Sequence, residues 1–158
     1  MSQIIKHNGD RIAVNRRARF DYHIEDTFEA GLCLTGTEVK SLRLGQANIQ
    51  NAHAAIDNGE PYLHGAHIAE YTEAGRHLQH SPTRPRKLLL RQSEINKLIG
   101  ATEQKGMTLV PMTLYFNKRG FAKLKLGLAS GKKQHEKRAT IKDREWKRRK
   151  QRILKQDF

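Results

Sequence analysis

The chain has 158 residues, a formal net charge of +14, 29% charged and 37% apolar residues, and a single cysteine. That length fits one domain plus an extension, with roughly two-thirds of the unfolded surface available for burial. Cys33 alone excludes an intramolecular disulfide and a four-cysteine zinc site. The apolar run Leu109–Phe116, broken by Pro111, falls far short of the roughly 18 residues of a membrane helix, and the start lacks a secretory h-region. A soluble, cytoplasmic protein is expected. The charge surplus calls for a polyanion, nucleic acid first, with an anionic membrane surface or simple solubilisation as alternatives.

In chain order, Asp21–Ile24 and Ala30–Leu34 read as strands separated by the acids Glu25, Asp26 and Glu29. A short helix is expected from a Thr37 cap to Gly45, with Val39 and Leu42 inward and Lys40 and Arg43 wet. Asn58-Gly59 marks a hairpin between Ala54–Ile56 and Tyr62–Leu63. Ser81–Arg86 reads as a stiff basic loop. Ile95, Leu98, Ile99 and Thr102 share a helical face, capped by Ser93 and stopped by Gly106. Val110, Met112, Leu114 and Phe116 share a strand face, and Pro111 demands an edge or a bulge. Asn117–Gly120 then turns the chain into the alternating strand of Ala122, Leu124, Leu126 and Leu128. Many short strands with few helices predict a mainly β fold, with a small closed β-barrel such as the oligonucleotide-binding barrel as one architecture.

Residues 131–158 hold 12 Lys+Arg against 4 Asp+Glu. Their apolar residues are too scattered for a packed stripe, and like charges oppose a free helix. A body of 1–130 and a tail of 131–158 are expected, the tail disordered alone and helical on a polyanion.

Metal chemistry finds little support. His64/His67 point to opposite strand faces, and neither that pair nor His77/His80 has a matching cysteine pair. Cys33 reads as a small buried hydrophobe. The acids Glu25, Asp26 and Glu29 lack the histidine or lysine constellation of a nuclease, so no enzyme and no cofactor is expected. Basic residues beside aromatic ones, Arg19-Phe20, Tyr115-Phe116 near Lys118-Arg119, Phe121 near Lys123, and Trp146-Lys147, fit RNA binding, although such rings serve equally as core.

Asn15-Arg16-Arg17-Ala18, Phe28–Gly31, Gly36–Gly45, Pro82–Leu90 and Gly131–Arg138 together resemble the SmpB family of bacterial tmRNA-binding proteins, in order over nearly the whole chain. The resemblance implies a closed oligonucleotide-binding-type barrel of about six antiparallel strands and a basic tail. It also implies a non-catalytic, monomeric adaptor that binds the tRNA-like domain of tmRNA and delivers it with elongation factor Tu to stalled ribosomes. The tail would occupy the decoding centre and empty mRNA channel of the small subunit. A generic single-strand-binding barrel is the alternative.

The family's RNA-contacting positions match Asn15, Glu29 and Leu89. Asn15 serves equally as a turn or cap residue, Glu29 as a salt-bridge partner and Leu89 as core. Arg16, Arg17, Lys40, Arg43, Arg84, Arg86, Lys87, Lys123 and Lys125 complete the expected RNA-binding set. In the tail, Gly131, Lys132 and Lys133 match a basic entry and His135 a decoding-centre contact. Lys137 and Arg138 follow, then Trp146, Ile153 and Leu154, which share a face of a helix from about Ala139. Glu136 stands where the family usually has Asp.

Overall fold

Short apolar runs punctuated by turn residues give nine strands and four α-helices among residues 5–104 and 106–156, which the computed structural model describes. The last two residues of the expected tail, Asp157 and Phe158, lie outside them. The order is β1 (Arg11–Val14), α1 (Ala18–Asp21), β2 (Tyr22–Leu32), α2 (Gly36–Arg43), β3 (Ala47–Asn48), β4 (His53–Asp57) and β5 (Glu60–His64). Then come β6 (His67–Ile68), β7 (Arg86–Leu89), α3 (Gln92–Thr102), β8 (Met107–Phe116), β9 (Ala122–Gly131) and α4 (Gln134–Gln156). The fold is mainly β with short helices, apart from the 23-residue α4.

All pairings are antiparallel, and of these β4–β5 and β8–β9 are hairpins closed by short turns. From β8 they run through β4, β5, β7, β2 and β9 and return to β8, with β1 alongside β8. Strands β3 and β6 form a separate ladder. The β4–β5 turn places Asn58 at φ 52° and Gly59 at φ 78°, the left-handed pair this hairpin needs. Asn117 closes the β8–β9 turn by accepting the Phe121 N–H on its side chain at 2.8 Å.

Strand β2 is one 11-residue strand, not two. The polar stretch expected to separate them lies on the ladder with β9, with a register shift between Ile24 and Asp26.

Pro111 behaves as its missing N–H dictates. β8 meets β4 at Leu109 and β1 at Thr113–Tyr115, and Pro111 lies in the gap between those partners. On the β9 side a register shift separates Pro111 from Thr113. The irregularity splits the face expected for β8. Val110 and Met112 pack with Ala18 and Ala129 in a small outer cluster, whereas Leu114 and Phe116 join Leu109 in the main core.

The helix starts also differ from expectation. α2 is capped at Thr35, not Thr37, because Glu38 reaches back to accept the Thr35 N–H at 3.0 Å. α3 is capped at Arg91 rather than Ser93, and Glu94 accepts the Arg91 N–H at 3.0 Å. Leu42 packs inward as expected, while Glu38 is fully buried and Val39 only partly.

The tail is expected to be disordered alone and helical on a polyanion. It is helical from Gln134, five residues before Ala139, and tied to the body at its start. Lys132 donates its N–H to the Asp21 carbonyl and its Nζ to that of Arg19, both at 2.9 Å. Lys137 pairs with Asp21 at 3.5 Å, and the Arg144 guanidinium lies over Phe20. Contacts to α1 offset part of the like-charge repulsion in the first turns.

Candidate nucleic-acid interface

Strand alternation decides which basic residues reach solvent. On β7, Arg86 and Leu88 are buried while Leu89 is exposed and Lys87 half-exposed. On β2, Glu29 faces out between buried Phe28 and Ala30. Its register partner on β9 is Lys125, and Gly31 faces Lys123. Lys125 in turn faces Thr113, and Lys123 faces Tyr115, which pairs with Arg11. The outer positions of β7, β2, β9, β8 and β1 therefore form one continuous face.

Two depressions mark this face. The larger, an open groove of about 840 Å³, is lined by Arg11, Asn15, Arg16, Arg19, Glu29, Tyr115 and Lys125 among others. Four of those seven are cationic and one is acidic. The Tyr115 hydroxyl donates to Glu29. Burial and this carboxylate both raise the Tyr115 pKa, so the phenol stays protonated and occupies one Glu29 oxygen. The second depression holds Gly31, Leu89, Phe121 and Lys123.

Asn15 is buried at the β8 irregularity. Its side-chain N–H donates to the Pro111 carbonyl at 3.1 Å and its backbone N–H to that of Met112 at 2.8 Å. It thereby satisfies two carbonyls exposed by the lost register, while its own Oδ1 finds no protein partner. The contact supports a structural role. Leu89, half exposed, is not core.

Arg86 must be removed from the expected RNA-binding set. It is fully buried, with Nε 2.5 Å from Glu38 and Nη1 2.6 Å from the Ala66 carbonyl. Arg84 shares Glu38 at 2.5 Å and remains partly exposed. Burial opposes Glu38 ionisation, but the Thr35 N–H and the two guanidinium groups outweigh it and hold the carboxyl below its ordinary value. Arg43 is half-buried, stacked on Phe116 and donating to the Lys6 and Gly120 carbonyls, rather than wet.

The other basic residues are dispersed. Arg16 is exposed in the groove, Arg17 pairs with Asp21 away from it, and exposed Lys40 lies over Tyr71. Lys87 pairs with Glu60. In the tail, Gly131 ends β9, and Glu136 accepts the Lys133 N–H at 2.8 Å and meets His23 at 3.2 Å. His135, Arg138, Trp146, Ile153 and Leu154 are exposed.

The alternative sites do not assemble. Asp26 pairs with Lys97 while Glu29 meets Tyr115, so the acids engage separate partners. Among the described residues no three His, Cys, Asp or Glu side chains are placed to hold a metal ion. His64 stacks on His53 and pairs with Asp57, and His80 is buried against Thr37 and the Ile68 carbonyl. Cys33 is exposed, not buried. Among the described residues no helix is long and apolar enough to cross a membrane.

The family model described as SmpB protein matches residues 12–156. The chain belongs to the SmpB family. An SsrA-binding protein of Novosphingobium aromaticivorans is 56% identical over 144 residues, covering 91% of this chain and 89% of that one. That of Rhodospirillum rubrum is 54% identical over 154 residues, covering 98% and 95%. A solved structure described as "tmRNA-SmpB: a journey to the center of the bacterial ribosome" superposes with a TM-score of 0.63 at 53% identity, covering 77% of this chain and 84% of that one.

Of the SmpB-family positions, Glu29 and Leu89 lie on the outer face and Asn15 supports it from beneath. Arg11, Thr27 and Thr113 line the groove unforeseen. Alternation along single strands was the available signal, but only cross-strand register brings Arg11 beside Tyr115.

Proposed function

We propose that the chain is a non-enzymatic RNA-binding adaptor of trans-translation. It binds the tRNA-like domain of tmRNA through the outer face of β1, β8, β9, β2 and β7 and brings it to stalled ribosomes. The observation that carries this reading is the SmpB family match over residues 12–156, which spans both that face and the basic tail. The SsrA-binding names of the relatives support the RNA, and the tmRNA-SmpB ribosome structure supports the destination.

The finer reading is a closed oligonucleotide-binding-type barrel, supported by the pairing cycle that begins and ends at β8. The body is residues 1–130. The tail, 131–158, enters the decoding centre and empty mRNA channel of the small subunit, where Trp146, Ile153 and Leu154 find an apolar partner. Delivery as a cytoplasmic monomer with elongation factor Tu completes the proposal.

The test is competitive binding of the tRNA-like domain against an ordinary tRNA and an equal-length single strand at two salt concentrations. Each phosphate contact loses roughly 0.7–0.9 log units of affinity per tenfold salt, whereas shape recognition persists as a preference. A preference for the tRNA-like domain at both salts is the expected result. Equal affinities that collapse together would leave a generic single-strand-binding protein.

A further inference from the structure

Tyr22 and Gly131 form the end rung of the β2–β9 ladder, so the tail leaves the body beside the C-terminal end of α1. A helix end leaves carbonyls without partners. The tail supplies donors for two of them, the Lys132 N–H to the Asp21 carbonyl and the Lys132 Nζ to that of Arg19, both at 2.9 Å. The Asp21 carboxylate is divided between two cations, Oδ2 facing Arg17 at 3.6 Å and Oδ1 facing Lys137 at 3.5 Å. Further along α4, the Arg144 guanidinium lies 5.8 Å from the centre of the Phe20 ring. His23, just past α1, meets Glu136 at 3.2 Å.

A repeat of about 3.6 residues per turn brings Lys137, Thr140 and Arg144 into one stripe along α4. Glu136, Lys137 and Thr140 are half-buried, whereas every side chain from Ile141 to Lys155 is exposed. The same repeat aligns His135, Trp146 and Ile153, about three and five turns apart, on the opposite side of the helix. All three are exposed, Trp146 at 61% and Ile153 at 53%. The stripe that meets α1 and the stripe left free thus lie across one helix axis. Exposed ion pairs are weak one at a time, being screened by water and salt. Spread over successive turns they still define both the direction of α4 and its rotation about its own axis, which a single pivot at Gly131 leaves open.

Taking the proposed role of the tail as its basis, we infer that Asp21 and Phe20 are positioning residues that clasp α4 at one rotation on the body. With Lys137 and Arg144 turned toward α1, His135, Trp146 and Ile153 face outward together as one edge for the ribosomal partner. The body thus aims the tail before contact, and less rotational freedom remains to be lost when the tail enters a channel. Asp21 and Phe20 act through Lys137 and Arg144, without touching the partner themselves.

The experiment uses the full chain carrying Cys33→Ser, Ser93→Cys and Lys150→Cys, spin-labelled at these two exposed positions of α3 and α4. Pulsed electron paramagnetic resonance of this labelled parent, free in solution, is expected to give one narrow distance. Phe20→Ala, Asp21→Lys alone and Lys137→Glu alone should each broaden it. Asp21→Lys combined with Lys137→Glu should restore it at unchanged net charge, since the Arg17 side chain is 72% exposed and can swing clear. Peptide tagging on stalled ribosomes should follow the distances, falling several-fold in each single variant and recovering in the exchanged pair. A broad distribution in the labelled parent, or a narrow one in every single variant, would overturn the clasp. Full tagging alongside broadened distances would overturn the positioning role. Absence of tagging by the labelled parent and by the unsubstituted chain would instead refute the proposed function, and the distances in the free protein would still decide the clasp.

Discussion

Glu38 has traded water for a hydrogen-bonded network, with Arg86 and Arg84 each 2.5 Å from its carboxylate and the Thr35 N–H at 3.0 Å. Breaking one side of a buried pair strands the other charge, at a cost of about 3–5 kcal/mol. Glu38→Gln should destabilise the body on that scale in urea unfolding, and Glu38→Gln with Arg86→Met should recover part of the loss. Because the folded carboxyl titrates below its unfolded value of about 4.3, its contribution is complete above that pH. It is lost as pH falls through the folded value. Thermal melts at descending pH should show a steeper decline for the unsubstituted protein than for Glu38→Gln. On the outer face, half-buried Lys125 is the register partner of Glu29 and lines the groove. If it meets a phosphate, Lys125→Ala should reduce the salt slope of RNA binding by about 0.7–0.9, with little change in melting temperature.

At the scale of elements, the join between β9 and α4 is held by a few polar contacts. Glu136 accepts the Lys133 N–H and meets His23, and these two contacts, in that order, lower its pKa against slight burial. The contact from the Lys133 N–H is complete above the ordinary carboxylate range and fades as pH falls below it. Glu136→Ala should fray the first turn of α4, seen as lost far-UV helicity and faster hydrogen exchange at the Lys133 amide. Glu136→Asp keeps the carboxylate one methylene nearer the backbone. It should preserve protection at Lys133 while giving up the reach to His23. Equal exchange in the Ala and Asp variants would mean that the carboxylate does not cap the helix. The turns of the hairpins were readable from Asn58-Gly59 and Asn117–Gly120 because a left-handed backbone is a local demand. The splitting of the β8 face was not, since the irregularity at Pro111 depends on three partner strands that approach from distant parts of the chain.

For the whole molecule, charge and architecture are divided. β9 completes its pairing with β2 at Gly131, and the +8 of residues 131–158 lies beyond the last rung. A chain ending at Gly131 should keep cooperative unfolding and most of its preference for tRNA-like RNA, while losing peptide tagging on stalled ribosomes. Loss of cooperative unfolding would show that the tail contacts to Asp21 and Arg19 belong to the body's stability. Ile153→Ala with Leu154→Ala should spare RNA binding and impair the ribosomal step. Equal loss of both activities would contradict a division of labour between body and tail.

Local demands and composition were legible without coordinates. The strand alternation of Ala122–Leu128, the α3 face, the hairpin turns, the basic tail and the family-specific stretches each lie within a few neighbouring residues. Tertiary structure decided which of the many arginines face water. Arg86 looks like one more cation in a basic loop until β7 turns it inward toward Glu38, 48 residues away. Asn15 becomes the support of a distant proline carbonyl, and Phe121 lines one hollow with Leu89 only because β2 lies between β7 and β9. Side-chain alternation follows from the strand itself, whereas neighbours across the sheet follow from long-range pairing and register, which no local pattern specifies.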